Sequence, residues 1–257
     1  MIKEVYQTEL ITFEYPPDGG KIPIIDPYDG CTVMCPYCFQ MEDKRWNKDL
    51  IVKKNIPVLI KEKLNNWDRN KTIFIGSRCD PYLNIEEKYE LTRKCLIELS
   101  ELKIPVMITT KAHYKIILRD IELLKNYKAD MTILLGLSNL NQFSNCDNNY
   151  ETDNIKLANY IFEQGIKVWT YITPVLPGIT DVEEMISRLN KNIPIFLDEL
   201  RIEKNSIQME KMLEYINVYY PKLEKTYENM ILNNENQYID LLRKKYRNSN
   251  RIKFVFN

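Results

Sequence analysis

The sequence predicts an α/β fold in which helices cover a parallel sheet, because apolar runs rich in β-branched residues alternate with segments of helical periodicity. Runs of roughly four to eight such residues between turn-forming residues are typical of buried parallel strands. Six runs of this kind occur, at Ile22 to Tyr28, Thr72 to Ile75, Pro105 to Thr109, Met131 to Leu137, Val168 to Thr173 and Ile195 to Ile202.

Helical segments fill the intervals between these strands, and each has apolar residues at the spacing of an amphipathic helix. A strand, a crossover helix and a second parallel strand form a right-handed unit in nearly all proteins. Six consecutive units predict an open, partial (β/α)6 barrel of the TIM type. The predicted helices are Ile51 to Trp67, Ile85 to Leu102, Tyr114 to Tyr127, Thr152 to Gln164 and Val182 to Leu189.

The 257 residues are predicted to form one structural domain, because no linker rich in Pro, Gly or Ser, no repeat and no low-complexity stretch divides them. The barrel core is expected to cover residues 1–205. From 206 to 257 the pattern becomes helical and rich in Tyr and Lys, so we expect a helical C-terminal extension packed on the core. Its last residues, Arg251 to Phe256, form a possible final strand.

Charge and hydropathy exclude some classes of protein. The chain has 36 basic and 36 acidic residues, so strong general affinity for nucleic acid is not indicated. Met1 to Tyr15 lacks the apolar core of a signal peptide, and no apolar stretch approaches the roughly 20 residues that span a bilayer. We therefore expect a cytoplasmic protein with reduced cysteines and no membrane partner.

Three cysteines lie in one short loop after the first predicted strand. Cys31, Cys35 and Cys38 have C-x3-C-x2-C spacing within Asp26-Pro-Tyr-Asp-Gly-Cys-Thr-Val-Met-Cys-Pro-Tyr-Cys-Phe39. A cubane 4Fe–4S cluster takes a ligand on each of its four irons, usually a thiolate. Three thiolates would leave the fourth iron open to an exogenous ligand. The spacing therefore predicts an iron–sulfur site with one open iron.

A structural zinc site is the alternative interpretation of this loop. Such sites normally have four ligands, often in two C-x2-C pairs, and the sequence lacks a second pair. A fourth donor from elsewhere in the chain would still complete a zinc site. The residues that could supply it are Cys79, Cys95, Cys146 and the only histidine, His113.

Polar residues follow the second predicted strand, in Gly76-Ser-Arg-Cys-Asp-Pro-Tyr82. Functional residues of barrels gather at the carboxyl ends of the strands. The hydroxyl of Ser77 and the carboxylate of Asp80 suit the ammonium or hydroxyl groups of a ligand. The structural alternative is that Asp80-Pro81 forms a turn and Asn84 caps the next helix. Both interpretations are compatible.

The cysteine loop resembles the signature of the radical S-adenosylmethionine (SAM) superfamily, with an aromatic residue, Tyr37, before the last cysteine. Between about Tyr28 and Asp181 the chain is similar to the spore photoproduct lyase-like group of that superfamily. Beyond Ser206 we find no resemblance. The similar segments are Asp80-Pro-Tyr82, Leu91-Thr-Arg93, Ile108-Thr-Thr-Lys111, Leu118-Arg-Asp-Ile-Glu-Leu-Leu124 and Ile172-Thr-Pro-Val-Leu-Pro-Gly-Ile-Thr-Asp181.

The resemblance implies a partial barrel of the radical SAM kind and two cofactors, a 4Fe–4S cluster and SAM bound at the open iron. In that superfamily an electron from the reduced cluster splits the SAM sulfonium, and the resulting 5′-deoxyadenosyl radical abstracts a hydrogen atom from the substrate. The electron would come from a partner such as a flavodoxin or ferredoxin. The cofactor performs the difficult chemistry, while the protein supplies binding and orientation.

The resemblance also implies SAM-binding residues beside Tyr37. Ser77 and Asp80, with Cys79 between them, are expected at the amino and carboxylate end of SAM. Lys111, a point charge with three donors, is expected at a carboxylate or ribose hydroxyl, although it could be a solvated loop lysine. Ile172 and Pro174 are expected to support the adenine through apolar and backbone contacts.

Two positions depart from the pattern of the group. Many members have a serine on the fourth strand where this chain has Gly136, so Ser138, two residues on and on the same strand face, is the candidate SAM ligand. Lyases that repair the spore photoproduct also keep a cysteine that returns a hydrogen atom to the product radical. Cys79 is shifted by two residues from that position, which Ser77 occupies. We predict a catalytic Cys79, with burial as a small apolar residue as the alternative.

The remaining candidates have simpler explanations. His113 lies at a helix start and is expected to be a surface or capping residue. Cys95 and Cys146 stand alone, so no second cluster is implied. The basic run Arg243, Lys244, Lys245, Arg247, Arg251 and Lys253, with Tyr246 and Phe254, could contact phosphates, but such runs are usually solvated.

These observations predict a radical SAM enzyme with an unidentified substrate. A DNA lesion, a peptide and a small natural-product precursor are all compatible with the sequence. DNA photoproduct lyase-type repair is the first alternative, against which the short chain and zero net charge weigh. A binding module stabilised by zinc or a cluster, without catalysis, is the second.

Overall fold

The computed structural model describes residues 1–15, 20–32, 35–42, 49–111, 114–137, 150–233 and 236–255, apart from the side chains of 114–115 and 150–153. Strands and helices alternate through most of this part of the chain. The strands are β1 (Ile2–Val5), β2 (Thr12–Glu14), β3 (Ile22–Ile24), β4 (Tyr28–Asp29), β5 (Leu50–Lys53), β6 (Ile73–Ile75), β7 (Val106–Thr110), β8 (Met131–Leu137), β9 (Val168–Val175), β10 (Ile195–Glu199) and β11 (Ile252–Phe254).

Ten α-helices lie within the described residues. Of these, none is both long and apolar enough to cross a membrane. The helices are α1 (Ile56–Lys63), α2 (Glu86–Tyr89), α3 (Leu91–Glu101), α4 (Tyr114–Arg119), α5 (Ile121–Lys125), α6 (Tyr150–Glu163), α7 (Val182–Arg188), α8 (Ile207–Tyr219), α9 (Glu224–Asn233) and α10 (Gln237–Tyr246).

The large sheet has eight strands in the order β11-β10-β9-β8-β7-β6-β3-β2. Only β2 is antiparallel to its neighbour, and the seven other strands are parallel. Each of the six predicted strand segments overlaps one of these parallel strands, so the predicted α/β class is confirmed. Within the described residues β2 and β11 are edges, and the sheet does not close into a barrel.

The C-terminal extension contributes to the sheet as well as to the helical layer. Strand β11 pairs in parallel with β10, with Ile252 opposite Ile195. The possible final strand is therefore confirmed within residues 252–254. The proposed boundary between 205 and 206 stays a prediction, and this pairing joins the extension directly to the core.

Three helix predictions need correction. The helix predicted at Tyr114 to Tyr127 is divided at Asp120 into α4 and α5. The first half of the helix predicted at Ile51 to Trp67 is wrong, because Leu50–Lys53 is a strand that lies between β1 and β4. Its β-branched Ile51 and Val52 favour that extended conformation. The helix predicted at Ile85 to Leu102 is divided at Glu90, whose φ of 53° is left-handed.

The two faces of the large sheet differ in burial. On β8, Ile133, Leu135 and Leu137 belong to the main apolar core, which includes residues of α3, α6 and α10. On β9, the alternate residues Trp169 and Tyr171 are only half-buried. Successive side chains of a strand point to opposite faces, so one face packs on helices and the other forms an open inner surface.

A fully buried carboxylate, Glu86, ties the start of the cysteine loop to the helical layer. It accepts hydrogen bonds from the Tyr28 hydroxyl at 2.5 Å, the Thr92 N–H at 2.9 Å and Arg119 Nη2 at 2.9 Å. Arg119 also pairs with Asp120, which is likewise fully buried and bonded to Arg93. Such carboxylates need these partners, because an unpaired buried charge is costly.

Arg119→Met should therefore destabilise the fold strongly. The change leaves two carboxylates with 0% exposure, Glu86 and Asp120, without their shared cation, whose own exposure is 27%. We expect a loss of about 3 to 5 kcal/mol in the free energy of unfolding, measured with urea. The control Arg188→Met removes an exposed pair with Glu184 and should cost less than about 1 kcal/mol. Equal losses in the two variants would contradict this account.

Candidate functional site

The cysteine loop begins directly after β4. Gly30 has a φ of 80°, a left-handed conformation that glycine adopts without steric cost, and its N–H bonds to Asp29 Oδ1 at 2.9 Å. Further on, the Cys38 N–H donates to the Cys35 carbonyl at 3.0 Å. Cys31, Cys35 and Cys38 are half-buried thiols that take part in no disulfide. The loop thus provides three thiols within eight residues of the sequence.

The C-terminal extension holds this loop in place. In the first turn of α8, the Gln208 side chain donates to the Tyr37 carbonyl, and the Gln208 N–H donates to Glu42 Oε1 at 3.1 Å. The Tyr37 ring packs against an apolar cluster that includes Met212 and Tyr227. Sequence analysis missed Gln208, since a lone polar residue in a helix gives no signal of this contact.

Lys111, just after β7, lies between the cysteine loop and β9. Its Nζ donates to the Tyr37 hydroxyl at 2.9 Å and to the Thr173 carbonyl at 2.8 Å. Burial lowers the pKa of Lys111, while the neighbouring Cys35 and Cys38 oppose that effect. The structure therefore brings Lys111 and Tyr37, two predicted SAM-binding residues, into direct contact.

Asp80 fixes the backbone at Lys111. Its carboxylate accepts hydrogen bonds from the Lys111 N–H at 2.7 Å, the Thr110 hydroxyl at 2.8 Å and the Tyr82 N–H at 3.0 Å. Burial raises the pKa of Asp80, although these donors oppose the shift. Both oxygens thus face donors of the protein. Asp80 positions Lys111, and its predicted contact with SAM stays a prediction.

Asp26, which sequence analysis did not single out, connects the end of β3 with the loop that contains Ser77. It accepts hydrogen bonds from the Gly76 N–H at 2.8 Å and the Arg78 N–H at 3.2 Å. Gly76 has a φ of 91°, and a Cβ there would lie 2.1 Å from the Thr109 carbonyl. The ends of β6 and β7 therefore lie close together at Gly76. Ser77 comes next in the chain, and its side chain is half-buried. The sequence feature that could have indicated this contact is an acidic residue near the end of the first predicted strand of the parallel sheet.

Cys79 lies behind the cysteine loop. Its side chain is 3% exposed, packs with Tyr28, Leu83 and Leu91, and donates its thiol hydrogen to the Gly30 carbonyl at 2.7 Å. Burial raises the pKa of this thiol well above its ordinary value. The position favours a structural role at the loop entrance. Its predicted role as a hydrogen-atom donor stays a prediction.

The predicted adenine support needs a correction at Ile172. Its side chain is fully buried in the main apolar core on the helical face of the sheet, so it cannot pack on a ligand at the inner face. The neighbouring Thr173 provides the carbonyl that Lys111 binds. Pro174 follows it and is buried, so only backbone support from this segment fits.

The other predicted residues divide into three groups. Ser138, His113 and Cys146 lie outside the described residues. Cys95 is buried in the main core, away from the cysteine loop. Three of the six residues of the basic run make internal contacts: Arg251 donates to the carbonyls of Leu189, Asn190 and Ile193, Lys245 pairs with Glu183, and Arg243 pairs with Glu199. Lys244, Arg247 and Lys253 are exposed.

The residues present fit an iron–sulfur cluster that has one open iron. Three half-buried thiols come from one loop, and all three interact electrostatically with the Lys111 ammonium. Within the described ranges no three His, Cys, Asp or Glu side chains converge as ligands of one metal ion. A cubane does not require such convergence, because each thiolate binds a different iron.

The pH dependence of stability should include a component from Asp26. Burial raises its pKa from the ordinary 3.8 to about 6, so the folded chain binds this proton more tightly than the unfolded chain. Stability should then fall by about 2 kcal/mol as pH rises from about 4 to 6, and by about 3 kcal/mol over the full range from below about 3 to above about 7. Urea unfolding at several pH values should show this component in the wild type and not in Asp26→Asn. The same pH profile in both chains would contradict the assignment.

Comparison with known proteins identifies the family. The model of the radical SAM superfamily matches residues 25–189. The uncharacterized protein MJ0683 of Methanocaldococcus jannaschii is 28% identical over 219 residues, which are 77% of this chain and 79% of that protein. The uncharacterized protein Mb2609c of Mycobacterium bovis is 23% identical over 193 residues, 67% of this chain and 56% of that protein.

Two solved structures share the fold. Spore photoproduct lyase complexed with dinucleoside spore photoproduct has a TM-score of 0.61 at 12% identity and covers 98% of this chain and 81% of its own. Streptococcus suis SuiB bound to SAM has a TM-score of 0.51 at 17% identity and covers 91% of this chain and 48% of its own. A 4Fe–4S cluster and SAM are the cofactors of the matched family. The chain therefore belongs to the radical SAM superfamily.

Proposed function

We propose that the protein is an enzyme that abstracts a hydrogen atom from a C–H bond of its substrate. When bound, the cluster and SAM supply the electron and the 5′-deoxyadenosyl radical for this chemistry. One observation supports this proposal most strongly. Tyr37 of the three-cysteine loop bonds to Lys111, which also bonds to the Thr173 carbonyl, so the loop lies at the carboxyl ends of the parallel strands, where ligands of such sheets bind.

The side chains around the loop have complementary tasks. Cys31, Cys35 and Cys38 would hold three irons of the cluster. The Lys111 ammonium is complementary to the carboxylate of SAM, and a lysine there acts as a point charge with three donors. The backbone contacts of Asp80 keep Lys111 at this position.

The open inner surface of the sheet is the proposed location of the substrate. Tyr171, in the middle of β9, lies on it and donates to Asp198 at 3.1 Å, while Trp169 and Phe196, with ring centroids 5.2 Å apart, lie nearer the amino ends of β9 and β10. Apolar side chains exclude water from a reacting radical, while a few polar groups orient a ligand. This surface suits a small or peptidic substrate with apolar and polar parts.

Repair of a DNA photoproduct is the second candidate. The fold is similar to that of spore photoproduct lyase, whose structure contains a dinucleoside photoproduct. SuiB, which has a similar fold, was crystallised with its precursor peptide. Arg243, Lys245 and Arg251 of the basic run make internal contacts, which leaves less positive charge for phosphates. We therefore propose a peptide or small-molecule substrate first and a DNA photoproduct second.

An electron donor must reach the cluster from outside. Phe39, next to Cys38, is 62% exposed and offers an apolar contact for a flavodoxin or ferredoxin. A cluster with an open iron is sensitive to oxygen, which together with six cysteines supports a reducing compartment such as the cytoplasm.

Cysteine substitutions test the proposed cluster. Anaerobically purified wild-type protein should be brown, contain about four irons per chain and form 5′-deoxyadenosine from SAM and a strong reductant. Replacing Cys31, Cys35 or Cys38 with alanine should abolish product formation and reduce the iron content. The control Cys95→Ala removes a core thiol and should keep the iron. A colourless wild-type protein with stoichiometric zinc would instead support the non-catalytic binding module.

Cys79→Ala distinguishes the two roles of the buried thiol. The structure indicates that the thiol supports the loop through Gly30, so we expect a loss of about 1 kcal/mol in stability and unchanged reaction products. Product analysis with the substrate, once identified, is the measurement. Accumulation of aborted by-products in Cys79→Ala, with normal iron content, would establish the hydrogen-donor role instead.

A further inference from the structure

Gly136 and Lys111 lie side by side at the carboxyl ends of β8 and β7. A Cβ atom built on Gly136 would lie 2.4 Å from Cγ of Lys111 and 3.0 Å from its Cε. Such distances are far inside van der Waals contact, which begins near 3.5 Å for carbon atoms. Gly136 does not have a positive φ, so its backbone conformation is open to any residue. Glycine is required at position 136 because the Lys111 side chain occupies the space that a Cβ atom would need.

The path of Lys111 across β8 ends at fixed acceptors. Its Nζ bonds to the Tyr37 hydroxyl of the cysteine loop and to the Thr173 carbonyl of β9. Asn154, a buried residue of α6, donates to the Gly136 carbonyl at 3.2 Å and the Lys111 carbonyl at 3.4 Å. Together with the bond from the Lys111 N–H to Asp80, these contacts keep Lys111 and Gly136 side by side.

The ammonium is thereby held beside the proposed cluster ligands, because its Nζ bonds to Tyr37, the residue before Cys38. Cys31, Cys35 and Cys38 all interact electrostatically with Lys111. A thiolate-bound 4Fe–4S cluster becomes more negative when it is reduced, and its potential depends on nearby charges and on solvent exposure. A half-buried cation such as Lys111 is screened less than a fully solvated one. A cation at this position therefore stabilises the reduced cluster.

We propose that Gly136 is a positioning residue that lets Lys111 cross β8, and that the ammonium held in this way raises the reduction potential of the cluster. The inference rests on the proposed function, because it assumes a cluster on the three cysteines. It goes beyond a SAM contact, since the effect of Lys111 on the potential is expected without SAM.

A double-mutant cycle tests the steric part. In the anaerobically purified full chain, Gly136→Ala should lower the thermal midpoint by about 3 to 10 °C, because the new methyl group meets Lys111 Cγ. In a Lys111→Ala background the same change should cost less than about 2 °C, since alanine has no Cγ. This rescue would not occur if glycine served only the backbone of β8. Equal losses in both backgrounds would overturn the positioning role.

A redox titration followed by electron paramagnetic resonance tests the electrostatic part, without SAM. Lys111→Met keeps most of the side-chain volume without the charge, and it should shift the cluster potential to more negative values. Gly136→Ala should shift it in the same direction by displacing the ammonium. The control Lys128→Met removes a solvated lysine that pairs with Glu101, and it should leave the potential unchanged.

The two possible failures are distinguishable. A wild-type chain that binds no iron would overturn the proposed function and the potential shift together. A fully loaded Lys111→Met protein with the wild-type potential would overturn this inference alone and leave the proposed function intact.

Discussion

The parallel register of the large sheet is the constraint on which the candidate site depends. Because β3 and β6 to β11 run in one direction, their carboxyl ends lie at one edge, and the loops after them meet there. Asp26 reaches the loop after β6, Asp80 reaches the end of β7, and Lys111 reaches β9. Each contact joins the ends of two strands. A one-residue slip would turn these side chains toward the helical face.

The cysteine loop is supported from three directions. Tyr28, at its start, is bonded to the buried Glu86, and Cys79 donates to the Gly30 carbonyl behind it. Gln208 of the C-terminal extension binds the backbone of Tyr37. A loop that must hold a cluster gains from such preorganisation, because supporting contacts orient the primary ligands. The extension is thus part of the site's support, and the fold shared with spore photoproduct lyase covers 98% of the chain, so it includes most of this extension, for which the sequence alone showed no resemblance.

Much of this arrangement could be predicted from the sequence. The positions of β3 and β6 to β10 followed from apolar runs, and the thiol loop followed from its spacing, because both are local patterns. The strands β1, β2 and β5 were not predicted. Contacts between distant segments could not be predicted in this way. Nothing local indicates that Gln208 contacts Tyr37 or that Asn154 bonds to Gly136. Ile172 shows a second limit, because the face of the sheet on which its side chain lies depends on strand register, which the sequence motif does not determine.

The central claim is that three cysteines hold a cluster whose fourth iron binds SAM. Electron–nuclear double resonance on the reduced protein tests it most directly, with SAM labelled with carbon-13 in its carboxylate or nitrogen-15 in its amino group. We expect hyperfine coupling of both labels to the cluster, which requires that these groups bind the open iron. A cluster signal without coupling to either label would contradict the claim.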